Sequence, residues 1–125
     1  MLTMQRSDAP GWTALTEWFG CRPNFKDAEI VSLDLRRDPE PSVLRVHITR
    51  SIAGAAPADR SEEATARFTL KGISEMQLDD WNCRNVLVEL SVDPIPTGYA
   101  IHLSSVCGLD GEICAEAVSV TIEAG

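Results

Sequence analysis

The chain has 125 residues and a formal charge of −8, with 44 % apolar and 24 % charged residues. Those are ordinary globular values, enough for one domain with its own hydrophobic core and contrary to disorder of the whole chain. The acidic balance argues against nucleic acid and anionic membranes as partners, because both are held through clustered Lys and Arg. It suits a basic protein partner, and it also simply favours solubility.

In chain order, residues 1–9 read as a loose start to a single domain spanning 1–125. Residues 10–20 predict a short helix. Ser7 or Asp8 could cap it, Pro10 suits its first turn, and Gly20 stops it. Trp12, Leu15, Trp18 and Phe19 recur at helical spacing and form one apolar face. Pro23 and Asn24 then mark a turn.

From residue 28 to 124 the apolar period becomes two. "AEIVSLDLRR" predicts a first strand with Val31, Leu33 and Leu35 facing inward. "SVLRVHITR" predicts a second, with Leu44, Val46 and Ile48 inward. Residues 53–63 are small and polar and predict a loop. "ATARFTLKGI" is a third strand, with Ala66, Phe68 and Leu70 on one side. Residues 74–85 are too polar for a clean strand and read as a connection. "VLVELSVDPIP" is a fourth strand, with Val86, Val88, Leu90 and Val92 inward. "GYAIHLSSVCG" is a fifth, "LDG" a turn, and "EICAEAVSVTIEA" a sixth, with Val118, Val120 and Ile122 inward. No βαβ rhythm appears, so a parallel sheet is not expected. The expected fold is α+β and mainly β: one N-terminal helix, then an antiparallel, curved sheet of about six strands, shaped like a half-barrel.

The four cysteines, Cys21, Cys83, Cys107 and Cys114, show no CxxC spacing, and only two histidines are present. Neither a metal site nor a cofactor site is therefore expected. Cys107 and Cys114 flank a turn and could face each other. The N-terminus has no apolar targeting segment, and no run reaches the roughly 18–20 apolar residues of a membrane span, so the expected location is the cytoplasm, with reduced thiols.

The candidates for chemistry are few. Asp27 and Glu29 stand two apart at the mouth of the first strand. They could be a general acid/base pair, but a pair needs a pocket and a raised pKa. The alternative is structural: Asp27 bonding the amides of the turn, Glu29 pairing with an arginine. Ser104, His102 and Asp27 compose a triad on paper, without a nucleophile-elbow sequence. No catalytic residue is expected. Trp12 and Trp18 read as core. Trp81, beside Asp79 and Asp80, is either a plug on the sheet or an exposed anchor for a protein partner, and burial of a large ring favours the plug.

Two segments carry a family resemblance. "WFGCRPNFKDAEI" resembles the signature of the immunity protein 50 family, W-F-G-x-W-P-S-F-H-D-A-E-[VI]. "FTLKGISEMQLDDWNCRNVLVELSV" is similar to that family's second conserved stretch, ending in Q-N-V-[IL]. The matched residues are Trp18, Phe19, Gly20, Pro23, Phe25, Asp27, Ala28, Glu29, Asn85 and Val86. Arg22 and Lys26 depart from the pattern, standing where the family has an aromatic and a histidine. An ammonium at Lys26 is neither a metal ligand at neutral pH nor an imidazole base, which argues against an enzyme.

The resemblance implies a bacterial immunity protein of a polymorphic toxin system. Such a protein binds and neutralises a cognate toxin, here one with a basic surface, without catalysis. The residues expected to face that partner are Asp27, Glu29, Glu62, Glu63, Glu75, Asp79, Asp80 and Trp81. The rival expectation is a small-ligand domain whose curved sheet encloses a cavity lined by Phe68, Val88, Leu90 and Ile101. Under either, pairing of edge strands into a homodimer stays open.

Overall fold

A computed structural model describes residues 9–20, 23–51 and 61–124. The order is one helix, α1 (Trp12–Phe19), and six strands: β1 (Glu29–Asp34), β2 (Ser42–Ser51), β3 (Ser61–Asp79), β4 (Val86–Ile95), β5 (Gly98–Cys107) and β6 (Asp110–Ala124). Every pairing is antiparallel, and the order β1-β2-β3-β6-β5-β4 closes on itself. The expected helix followed by a curved, six-stranded antiparallel sheet is thus present, and the sheet closes in a ring. The proposed capping residues Ser7 and Asp8, residues 1–8 of the loose start and residues 53–60 of the expected loop lie outside the described residues, as do Cys21 and Arg22, whereas residues 61–63 of that expected loop belong to β3 and pair with β2.

The β3–β6 ribbon is the spine of the ring. Its register runs from Ala64↔Ala124 to Asp79↔Asp110. β2 flanks the first part of β3, and β5 pairs with β6 at its other end, between Gly111 and Ala115. Midway the ribbon bends: Gly72 has φ 66°, a left-handed conformation that favours glycine, and the register slips by one residue at Ser74. That slip lets β3 run on to Asp79, through the polar stretch expected to be a connection.

The seam that closes the ring is narrow. β1 meets β4 at one register position, Glu29↔Val86. Ile30 N–H donates to Asn85 O at 2.8 Å, Leu87 N–H to Ala28 O at 2.7 Å, and Asp27 N–H to Leu87 O at 2.8 Å.

The core follows the alternation of β2, β3 and β6. Leu44, Val46, Ala66, Phe68, Leu70, Val118 and Val120 are all buried, as their spacing predicts. β1 and β4 depart from it. A bulge between Ile30 and Ser32 buries Ile30 and leaves Val31 56 % exposed. Two adjoining irregularities around Leu87 bury Leu87 and leave Val88 46 % and Val106 69 % exposed. A bulge inserts a residue, and a one-residue slip exchanges the faces of all that follows. Phe68, Leu90 and Ile101 belong to the packed core while Val88 faces outward, so these four side chains do not line a common cavity.

α1 lies on β6. Pro10 O accepts from Val120 N–H at 2.9 Å, and Gly11, with φ 89°, sits where a Cβ would come 1.8 Å from Val120 O. Gly11 is also the N-cap, with no side-chain cap, so backbone approach to the strand decides this helix start. Gly20 ends the helix in the left-handed conformation, donating to Thr16 O and Glu17 O. Leu15 is fully buried. Trp12 and Phe19 flank Phe25, which in turn reaches Phe68, with ring centroids 6.0–6.4 Å apart.

Candidate functional site: an apolar notch beneath Trp81

β3 ends at Asp79, and Asp80 takes φ 67°, which turns the chain back toward β4. The short return, 80–85, is organised by Asn85, only 2 % exposed. Its Oδ1 accepts from Asn82 N–H at 3.0 Å and from Leu109 N–H at 2.9 Å, and its Nδ2 donates to Asn82 O at 3.0 Å. With the bond from Ile30 N–H, Asn85 joins the return, the β5–β6 turn and β1. Gly108 completes the turn: φ is 104°, and a Cβ there would lie 2.4 Å from Asn85 Oδ1. Ser105 Oγ donates to Leu109 O, and Asp110 Oδ1 accepts from Ser105 N–H at 2.7 Å.

This framework holds a notch of about 210 Å³ lined by Leu33, Leu78, Trp81 and Leu109. Trp81 is 54 % exposed, so the ring is not the buried plug that its size suggested. Asn85 binds the polar groups of the return and so fixes the loop that carries the ring. The walls come from three separate stretches of sequence, Leu33, Leu78 to Trp81, and Leu109, which no local motif unites.

The acids expected at an interface do not form one patch. Glu62 accepts from Arg50 Nε at 2.7 Å, and Glu63 lies 2.8 Å from His47 Nε2. Glu62 sits beside the helix end, where Arg50 lies 4.7 Å over the Trp18 ring. Glu29 meets Arg84 at 3.8 Å, as its structural reading expected. Among the described residues the Asp27 carboxylate bonds none of the turn amides. Asn24 Oδ1 accepts from Lys26 N–H at 3.0 Å instead, and Asp27 contributes a left-handed backbone at φ 69°. Glu75, Asp79, Asp80 and Trp81 remain together on the far end of β3 and its return. Among the described residues Glu75, Asp79 and Asp80 form no ion pair, unlike Asp34, whose carboxyl is held below its ordinary range by the Arg36 guanidinium at 3.0 Å.

The paper triad is not assembled. His102 lies 3.4 Å from Glu112 and 4.0 Å from Asp93, on the exposed face of β5, and forms no pair with Asp27. Among the described residues no group of three His, Cys, Asp or Glu side chains is placed to hold a metal ion. No helix among them is long and apolar enough to cross a membrane.

Cys107 is exposed and sits opposite Val86, whereas Cys114 is buried opposite Ala100, so the two do not face each other. Burial, with repulsion from Glu112 and Glu75, pushes the Cys114 thiol up. At neutral pH a thiol-alkylating reagent is expected to modify Cys83 and Cys107 in the folded protein and to reach Cys114 only on unfolding. Mass spectrometry of the labelled peptides checks this, and native labelling of Cys114 would contradict the packing.

Compared with protein-family models, with curated proteins and with solved structures, the chain matches none.

Proposed function

We propose that this protein is a non-enzymatic, immunity-type binding protein that neutralises a cognate toxin domain through the face around Trp81. The observation that carries the reading is a half-exposed tryptophan over an apolar notch, next to acids without ion-pair partners. Exposed aromatics that fill or frame a pocket are the usual anchors of protein interfaces. The charge of −8 speeds encounter with a basic partner. The resemblance of "WFGCRPNFKDAEI" to the immunity protein 50 signature gives the same direction.

Size argues against a metabolite pocket as the primary role. Small-molecule sites usually offer about 300–1,000 Å³ and enclose most of the ligand. A notch of about 210 Å³, with one wall half in solvent, suits a single side chain better.

Where a toxin domain is encoded beside this protein, co-expression of the two in a sensitive host tests the proposal. The expected result is rescue of growth. Replacing Asp79 and Asp80 together by Lys is expected to abolish rescue and to weaken binding by about tenfold or more, with the fold retained because both positions are exposed, and with a small stability cost at Asp80, whose left-handed backbone disfavours Lys. Persistent toxicity with soluble wild-type protein would refute the reading for that toxin.

A further inference from the structure

We infer, on the reading that this face binds a protein, that the notch beneath Trp81 receives one aliphatic side chain from an extended segment of the partner. That segment adds as a strand to the free edge of β1 at Leu33. The walls of the notch are three leucines and an indole. Leu109 belongs to the core, and Leu33 and Leu78 pack against it, so the notch opens on apolar packing. A charged side chain placed there would lose its water and find no opposite charge in the walls, whereas an aliphatic one extends the core.

The edge beside the notch is unpaired. Ala28, just before β1, and Ile30 are both buried, and both turn backbone groups toward β4. Ala28 O accepts from Leu87 N–H, and Ile30 N–H donates to Asn85 O. Leu33 faces inward as they do, opposite the buried Leu44 of β2. Along an antiparallel ladder the side-chain face and the hydrogen-bonding edge alternate together, so Leu33 N–H and C=O point to that same edge. β4 pairs with β1 only at Glu29↔Val86, and the return over 80–85 folds onto the Asn85 amide instead. Among the described residues no hydrogen bond from that side reaches Leu33.

A residue laid opposite Leu33 would exchange two backbone hydrogen bonds with it and send its own side chain inward, into the notch. One position of an added strand thus meets both features. In strand addition main-chain bonds give affinity, and a pocket for a side chain gives selectivity.

Charge selects the occupant. Asp80, next to Trp81, is exposed and has no ion-pair partner among the described residues, whereas Asp34, next to Leu33, is held by Arg36. A segment with basic residues beside its aliphatic one complements that rim and the chain's charge of −8. A second copy of the chain offers its own β1 edge and the exposed Leu35, but it brings another charge of −8.

The test titrates the ¹⁵N-labelled full chain with the peptide acetyl-KTLTK-amide, up to millimolar concentration. The same peptide follows with alanine for leucine, with aspartate for leucine, and with the leucine methylated on its backbone nitrogen. Saturable shifts are expected at the amides of Leu33, Leu78 and Leu109 and at the Trp81 indole N–H, with exchange of the Leu33 amide slowed. Alanine should weaken binding about tenfold, and N-methylation about fivefold. Aspartate should abolish it. An N-methyl peptide that binds as tightly as the parent, an equal response to the aspartate peptide, the absence of saturable shifts at these positions, or the same shifts on raising protein concentration alone would overturn the inference.

A second arm follows exchange of the Leu33 amide in the complex with the purified toxin domain, where protection of about tenfold or more is expected. A complex in which that amide exchanges as in the free protein would refute strand addition and leave the immunity reading standing. Peptide binding at the notch without rescue of growth would do the reverse.

Discussion

Asn85→Ala is expected to lower stability by about 3 kcal/mol, and melting by about 10 °C, while also loosening the Trp81 return. The buried amide serves two backbone donors, Asn82 N–H and Leu109 N–H, and one acceptor, Asn82 O. Alanine removes all three bonds and leaves the buried Leu109 N–H without its acceptor. An unmade bond to a buried group costs about 1–3 kcal/mol, whereas one made at the surface contributes less. The carbonyl of residue 85 still accepts from Ile30 N–H, so the ring seam should survive the substitution. Thermal unfolding reads the stability, and amide exchange over residues 80–85 and 108–110 reads the local loosening. A change below about 0.5 kcal/mol, the range of ordinary surface substitutions, would show that the return is held by something else.

Phe68→Ala should have the larger effect, about 3–5 kcal/mol. Phe68 is fully buried in β3, and its ring meets Phe25 at 6.2 Å. Phe25 in turn meets Trp12 and Phe19 of the helix. Removing the Phe68 ring therefore leaves a cavity where the helix and the sheet share one core. Faster amide exchange is expected in α1 before global unfolding. Phe68→Leu keeps most of the volume and should cost less than half as much. Denaturant unfolding of both variants checks the ranking; equal losses would mean that ring packing is not what joins helix to sheet.

The sheet was legible where its alternation is unbroken. In β2 from Leu44 to Ile48, β3 from Ala64 to Leu70, and β6 at Val118 and Val120, every second residue is apolar and the same residues are buried. The failures trace to single inserted residues. "EIVSLDL" supports either phase over its first positions, because Ile30 and Val31 are both apolar. Only the bulge at Val31 decides for Ile30. "VLVEL" has the same ambiguity, and the irregular pairing of Leu87 and Val88 with β5 resolves it. Residues 74–79 escaped recognition because every side chain of β3 in that stretch except Leu78 is exposed, so no alternation marks them.

The site was legible only in part. Trp81 stood out by its acidic neighbours, but its exposure depends on walls from β1, β3 and the β5–β6 turn, far apart in the chain. Asn85 entered through a motif match, and its amide bonds to Asn82 and Leu109 give that position a physical role. The acids Glu62 and Glu63 looked equivalent to Asp79 and Asp80 in sequence. They differ because register sets His47 and Arg50 of β2 against the former.

The most direct test of the binding claim is isothermal titration of the purified toxin domain into this protein, with size-exclusion of the mixture. The account predicts a single 1:1 complex whose affinity falls with salt and collapses when Asp79 and Asp80 are reversed to Lys. Two proteins that elute separately and release no heat would contradict it.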